Sequence, residues 1–242
     1  MPNARRIRII VLLAVLVALA ASANYLRSEV MVSRAGRTLQ VVTIPLDSGI
    51  EIRPALAGGQ VGGHEMFSKI VDRLKPYAAI NGTFYSEKWV PIGDVLIDGK
   101  LEAQGRYPNA IAVRNDGKVE IFRRKGAKFD WTGYKCALAA GPRLVDGGQI
   151  MLDPLRDGFK QLSLNISASR SGIGLTKDNK LLLVVCKDPI KLVEFAKIMQ
   201  DLGAVDALNL DGGPCCGLYH DGKLIVDADA SMSNVLAIYK RQ

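Results

Sequence analysis

The stretch Asp206-Ala207-Leu208-Asn209-Leu210-Asp211-Gly212-Gly213-Pro214-Cys215-Cys216-Gly217 concentrates residue types that can do chemistry. Ala207, Leu208 and Leu210 are apolar and too few for a helix, which predicts a short buried strand. Asp211 then stands at the strand mouth, and Gly212 and Gly213 let backbone approach a ligand closely. A carboxyl group there can act as acid, base or metal ligand. Asp-Gly is also a common turn dipeptide, so taken alone the stretch reads first as a turn. Cys215 and Cys216 are potential nucleophiles with only His220 near in sequence as a base. The same three residues lack the second well-spaced ligand pair of a metal site. A divalent cation held by Asp211 and neighbouring carbonyls stays open, and no other cofactor is indicated.

Other candidates lie apart in sequence. Asn81-Gly82 ends a short apolar run and offers an amide to a ligand or to its own turn. Arg170 stands beside a strand mouth, where a guanidinium grips phosphate in forked geometry or makes a surface ion pair. Glu194 falls opposite the apolar face of a helix, so on a helical wheel it is an exposed glutamate.

The elements that must position these groups are legible from pattern. Thr38 to Leu46 alternates as a strand, and Gly58-Gly59 and Gly62-Gly63 form a loop. Met66, Phe67, Ile70, Val71 and Leu74 make one helical face within His64 to Lys75, stopped by Pro76. His64 opens that helix as a solvated or capping residue. Tyr77 to Ile80 is a short strand. Asp98-Gly99, Asp116-Gly117, Asp178-Asn179 and Asp221-Gly222 each lie between apolar strands and predict antiparallel hairpins. The strands they join are Val95 to Ile97, Ala110 to Val113, Val119 to Phe122, Ile173 to Leu175 and Leu181 to Cys186. Cys136 to Ala140 is a further strand, ending at Gly141-Pro142. Met151 to Ser169 is expected to be a long loop or lid. Asp188-Pro189 predicts a helix start, with Asp188 as N-cap. Leu192, Phe195, Ala196, Met199 and Leu202 form its buried face, and Gly203 ends it. A final strand covers Asn234 to Tyr239.

Composition is globular: 242 residues, 48% hydrophobic and 23% charged. The N-terminus reads as a targeting segment, with Arg5, Arg6 and Arg8 before an unbroken apolar run from Ile9 to Ala21. Ala21-Ser22-Ala23 is a small-residue cleavage pattern that predicts residues 1–23 as a signal and a mature start at Asn24. Extended through Leu26, residues 9–26 become an uncleaved membrane anchor. Both readings put the folded part outside the cytoplasm: periplasmic, secreted, or anchored and facing outward. Removing the three arginines from the net charge of +8 leaves +5, which suits an anionic ligand or simple solubility. With no arginine-rich run and 6% aromatics, nucleic acid is not an expected partner. Four cysteines then meet an oxidising compartment, with three full pairings allowed and none ranked. Cys136 and Cys186 lie in apolar runs and read as buried small hydrophobes or a bridge. Cys215 and Cys216 pair elsewhere or stay reduced, because neighbours join awkwardly.

Five stretches in order resemble the phosphodiester glycosidase family. They are Ile80-Asn81-Gly82-Thr83-Phe84-Tyr85, Ala140-Gly141-Pro142-Arg143-Leu144-Val145 and Arg170-Ser171-Gly172-Ile173-Gly174. The fourth runs from Glu194-Phe195-Ala196 through Met199, Leu202-Gly203-Ala204 and Asp206 to Asp211-Gly212-Gly213. The fifth is Asn234-Val235-Leu236-Ala237-Ile238. Together they span about Ile80 to Ile238.

The resemblance implies hydrolysis of a sugar-phosphate diester at its glycosidic side, releasing free sugar and a phosphomonoester. It implies Asp211 and Glu194 as catalytic carboxyl groups. It places Asn81, Gly82, Gly141, Arg170, Gly212, Gly213, Cys215 and Cys216 around the substrate. The chain departs from the family pattern at Pro214-Cys215-Cys216, where small hydroxyl residues are expected, and at Thr83 and Ser171. A thiol hydrogen-bonds a sugar or phosphate more weakly than a hydroxyl. The expected fold is α+β: one domain over residues 24–242, with a mostly antiparallel or mixed sheet and two main helices. The expected activity is an exported phosphodiester glycosidase acting on envelope or exopolysaccharide material. Its rivals are an impaired glycan-phosphate binding protein in polysaccharide assembly and a thiol-dependent envelope protein. The oligomeric state is not legible.

Overall fold

The structure is a computed structural model that describes residues 29–34, 37–46, 49–124, 129–160 and 165–241. The expected signal, its cleavage at Asn24 and the anchor over residues 9–26 lie outside the described residues. Among the described residues, no helix is long and apolar enough to cross a membrane.

The first strands are β1 (Glu29–Arg34), β2 (Arg37–Pro45), β3 (Ile50–Leu56), β4 (Ala78–Asn81), β5 (Val95–Ile97) and β6 (Lys100–Ala103). They are followed by β7 (Asn109–Arg114), β8 (Val119–Arg123), β9 (Tyr134–Ala140), β10 (Arg143–Asp146), β11 (Gln149–Ile150) and β12 (Ala168–Thr176). The last are β13 (Lys180–Ile190), β14 (Ala204–Asn209), β15 (Leu218–His220), β16 (Lys223–Val226) and β17 (Asn234–Lys240). Among the described residues two α-helices accompany them, α1 (Phe67–Leu74) and α2 (Leu192–Asp201).

The strands form three sheets rather than one large sheet. The orders are β1-β2-β13-β12-β14-β10-β11, β16-β15-β4-β17-β3 and β6-β5-β9-β7-β8. The ladders are antiparallel, as the hairpin turns require. All three sheets send alternate side chains into one core: Ile173 and Leu183 from the first, Ile80 and Leu236 from the second, Ile111 and Leu138 from the third. Strand β13 shows why its apolar run is unbroken. Leu181, Leu183 and Val185 face that core, while Leu182, Val184 and Cys186 face α2 through Phe195 and Met199. Helix α1 covers the second sheet by packing Phe67 and Ile70 on Ala79 and Val235. Among the described residues, no helix packs on the third sheet. Its outer face is covered by aromatic side chains, with Trp131 and Tyr107 buried there and Phe84, Phe129 and Phe159 packed beside them.

Two helix starts differ from the sequence expectation. Helix α1 begins at Phe67, later than His64, and ends where Lys75 turns left-handed at φ 47° ahead of Pro76. Helix α2 is not capped by Asp188, because Asp188 and Pro189 lie in β13. The Asp188 carboxylate accepts the Thr38 N–H at 2.9 Å, and the Pro189 carbonyl accepts from Arg37 at 2.7 Å. Those strand-side partners outweigh a local cap signature. The cap falls instead to Glu194, whose carboxylate accepts the Lys191 N–H at 3.0 Å.

One buried ion pair fixes the loop between β6 and β7. Arg124 donates to Asp94 at 2.7 Å, to the Tyr107 carbonyl at 2.7 Å and to the Gly105 carbonyl at 2.9 Å. Asp94 also accepts the Gly105 N–H at 2.6 Å and the Trp131 indole N–H at 3.0 Å. Removing one partner strands the other charge in the interior. Arg124→Met is expected to destabilise the fold by about 3–5 kcal/mol, read from the urea denaturation midpoint, whereas substitutions at exposed Lys118 should change it little.

Candidate active site

Strand β14 delivers Asp211 to a point where the first and second sheets meet. The Leu210 N–H donates to the Ser171 carbonyl at 2.9 Å, and the Asp211 N–H donates to the Gly82 carbonyl at 3.1 Å. The Asp211 carbonyl accepts both the Asn81 amide and the Ser171 hydroxyl, each at 2.6 Å. Asn81 is therefore engaged at both ends, since its Oδ1 accepts the Gly217 N–H at 3.2 Å. It orients the main chain that carries Asp211. Gly82 is required by close approach: a Cβ there would lie 1.9 Å from Asn234 Oδ1.

The Asp211 carboxyl is largely desolvated. Burial raises it from its ordinary 3.8 to about 6, against the lowering effects of the Cys215 thiol and the Gly212 N–H. The Gly212 N–H reaches Oδ1 at 2.9 Å. The Cys215 thiol lies 3.2 Å from the Tyr85 hydroxyl. Burial pushes the Cys215 and Cys216 thiols up to about 12. All four cysteines are buried and unbridged. Neither Cys215 nor Cys216 offers a thiolate near neutrality, which removes the physical basis of a thiol nucleophile. Among the described residues, no cluster of three or more His, Cys, Asp or Glu side chains is placed to hold a metal ion.

Around the Gly82–Asp211 joint and Gly141 lies a set of buried polar groups, of which the sequence marks only Thr83, as a departure from the family pattern. Thr83, Asn109 and Asn209 are each almost fully buried. Thr83 Oγ1, both ends of the Asn109 amide and Asn209 Oδ1 have no hydrogen-bond partner among the described residues. Asn209 donates to the Leu210 carbonyl at 2.6 Å and to the Gly141 carbonyl at 3.5 Å, which fixes its amide. Gly141, at φ 154°, leaves open the space in front of Asn109: a Cβ there would sit 3.7 Å from Asn109 Nδ2 and 3.4 Å from the Phe159 ring. Phe159 stacks on Tyr107 with centroids 4.5 Å apart, and Phe84 meets both rings edge-on. Polar amides beside an aromatic wall suit a ligand with both hydroxyls and apolar faces. One sequence signal was available: Asn109 is the polar opening residue of a strand whose next four residues are apolar and buried.

The segment expected to form a lid is anchored at its start. Asp157 is fully buried, and its carboxylate accepts the Arg143 N–H at 2.8 Å and the Arg123 guanidinium. That anchoring brings Phe159 to the wall. Residues 161–164 of the segment lie outside the described residues.

The remaining candidates stand apart. Arg170 is nearly buried; its guanidinium donates to the Ile190 carbonyl at 3.3 Å and to that of Ile166, and burial lowers its proton affinity. It stands close enough to Cys216 to feel its charge. Glu194 is half exposed, caps α2 and lies 3.9 Å from Arg37. It lines a groove of about 790 Å³ with Arg37, Val193 and Lys197, and none of the Asp211 neighbours lines that groove. The structure thus unites Asp211 with Asn81, Gly82, Gly212, Gly213, Cys215 and Cys216, sets Gly141 across Asn209, and does not pair Glu194 with Asp211. Arg106, unremarked in the sequence, is exposed with its guanidinium 5.9 Å from the Tyr107 ring. Tyr107 is raised to about 12 by burial, with Arg106 lowering it and the Asp211 charge raising it.

The chain has a phosphodiester glycosidase domain. The family model of that description matches residues 75–239, and the chain belongs to that family. Among solved structures it is similar to the catalytic domain of zebrafish N-acetylglucosamine-1-phosphodiester alpha-N-acetylglucosaminidase, auto-inhibited by its pro-peptide. The TM-score is 0.73 at 19% identity, covering 88% of this chain and 82% of that one. It is also similar to a hypothetical protein from Synechocystis, with a TM-score of 0.71 at 19% identity, covering 88% of this chain and 61% of that one. This chain therefore spans less than two thirds of the Synechocystis chain. No curated protein matches the sequence.

Between pH 4 and 6 the folded chain keeps a proton on Asp211 that the unfolded chain has lost. Stability contributed by that proton is full below about pH 4 and falls as pH rises through about 6. Asp211→Asn is expected to be more stable than the native sequence at pH 7, by on the order of 2 kcal/mol, with the difference gone at pH 4. Paired denaturation curves at the two pH values check this.

Proposed function

We propose that the chain is an exported hydrolase that cleaves the glycosidic side of a sugar-phosphate diester, releasing free sugar and a phosphomonoester in envelope or exopolysaccharide material. The observation that carries this reading is the desolvated Asp211 carboxyl standing beside uncharged buried amides and an aromatic wall. Family membership supplies the reaction class, and the site supplies one carboxyl to perform it.

In this reading the sugar lies against Phe159 and Tyr107, with its hydroxyls on Thr83, Asn109 and Asn209. Ionised Asp211 takes a proton from water as the water oxygen bonds to the anomeric carbon. The glycosidic C–O bond breaks, and its electron pair leaves on the phosphate oxygen. A phosphate is a good leaving group without protonation, so the reaction does not require a second carboxyl near Asp211. Arg106 on the aromatic wall is exposed and can meet the phosphate, while Arg170 would have to leave the Ile190 and Ile166 carbonyls to do so. A glycan-phosphate binding protein without turnover is the second reading, favoured by thiols at Cys215 and Cys216 where the family pattern has hydroxyls.

Incubation with a panel of hexosyl and N-acetylhexosaminyl phosphodiesters tests both readings. Sugar release is expected, with kcat/KM rising through about pH 6 to a plateau and falling by at least about 10²-fold in Asp211→Asn. Release unchanged in that variant removes Asp211 from the mechanism, and binding without release selects the second reading. Asn109→Leu should raise KM about tenfold or more without lowering the melting temperature, because an apolar isostere replaces a polar group that the protein leaves unpaired.

A further inference from the structure

A second group of aromatic rings leaves the strand mouth on the side away from the Phe159 wall. The segment after Gly82 is extended: the Ile92 N–H donates to the Phe84 carbonyl at 2.8 Å, the Ser86 N–H to the Val90 carbonyl at 2.9 Å, and Tyr85 bridges Pro91. Successive side chains of an extended segment point to opposite faces. Phe84 therefore joins Tyr107 and Phe159, while Tyr85 turns the other way and packs beside the residues that α1 covers. The Tyr85 hydroxyl donates to the Ser231 carbonyl at 2.8 Å and lies 3.2 Å from Cys215 Sγ. Its ring stacks on Trp89 with centroids 5.0 Å apart, and Trp89 stacks on His64 at 4.6 Å. Because the Gly82 carbonyl holds the Asp211 N–H, both aromatic groups diverge from the residue that carries the carboxyl.

The outer rings of this column face water. His64 is exposed and Trp89 is half-buried. Trp89 sits at φ 61° in a tight turn closed by its own N–H on the Ser86 carbonyl at 2.8 Å. A bulky side chain in the left-handed region is costly, and such conformations gather at ligand sites. Full burial does not offset that cost here, since the ring stays at the surface. Among the described residues, none accepts the Trp89 indole N–H and none bonds the His64 ring nitrogens. The rings are already stacked, so a ligand that meets their free edges orders few side chains. A rigid column with unspent polar atoms suits a sugar, whose C–H groups lie against aromatic carbon while its hydroxyls meet indole and imidazole nitrogens.

We propose that Tyr85, Trp89 and His64 form a subsite for a sugar carried on the phosphate side of the diester, opposite the ring that lies against Phe159 and Tyr107. The inference rests on the reading of Asp211 as the carboxyl at the cleaved bond. The phosphate crosses the short turn Gly213–Cys215, whose Cys215 N–H is held by the Gly212 carbonyl at 3.2 Å. The phosphomonoester released is then itself a sugar phosphate. No bond is made or broken at the subsite, which selects what the phosphate carries.

Two diesters of N-acetylglucosamine 1-phosphate test this, one esterified to methanol and the other to O6 of glucose. Native kcat/KM is expected to favour the glucose ester. Trp89→Gly keeps the turn, because glycine adopts φ 61° without strain, and His64→Ala is a second variant at an exposed position. Each is expected to shrink the preference about three- to tenfold, the size of one lost aromatic contact. Equal losses on both diesters, or an unchanged ratio, overturn the subsite. Binding is read without turnover from fluorescence of the full-length chain. It has two tryptophans, and Trp131 is buried, so acrylamide quenching reports Trp89. Glucose 6-phosphate is expected to protect Trp89 where methyl phosphate does not, with the half-protecting concentration rising about three- to tenfold in His64→Ala. Protection without hydrolysis of either diester keeps the subsite and removes the hydrolase reading. Hydrolysis of both diesters at equal kcat/KM, with no protection, keeps that reading and removes the subsite.

Discussion

The site depends on one main-chain carbonyl. Asp211 O accepts two hydrogen bonds at 2.6 Å, from Asn81 at the end of β4 and from Ser171 in β12. These strands belong to different sheets, so the two donors join the sheets at the residue that carries the carboxyl. A backbone carbonyl with both lone pairs used is fixed in direction. The Asp211 N–H on Gly82 closes the same joint. The carboxyl can then be held out of water without being free to swing back to it.

Holding it there works against stability. A carboxyl raised to about 6 disfavours the fold at neutral pH, and unpaired groups at Thr83, Asn109 and Asn209 add to that. The shared core of the three sheets and the apolar contacts of α1 and α2 offset it. The Arg124–Asp94 pair does a different task, because it holds the loop that carries Tyr107 and Arg106. That pair serves stability as well, because losing one partner strands the other charge in the interior. Polar strain gathers at the strand mouths, where chemistry is expected, and the interior between them stays apolar.

The sequence made local features legible. Asp98-Gly99, Asp116-Gly117, Asp178-Asn179 and Asp221-Gly222 fall at hairpins because turn chemistry acts over a few residues. Asp211 at a strand mouth followed from the change between apolar alternation and glycines. The division into three sheets was not legible, since pairings such as β4 with β15 and β17 join distant segments. The start of α2 was misplaced because Asp188-Pro189 is a good local cap, and only the tertiary contacts of Thr38 and Arg37 reveal a strand there. Asn109 and Asn209 carry no local mark of their burial without a partner for a similar reason. Each looks ordinary in its own segment and acquires meaning from what faces it across the fold.

The joining of separate sheets around Asp211 ties the character of its carboxyl to completed assembly. In an unfolded chain Asp211 is a hydrated acid with no aromatic wall, no fixed amides and no thiol beside it. Its raised proton affinity comes with closure of the core, so an extended chain carries the same residue as an ordinary hydrated acid, and its altered character is a property of the finished fold alone.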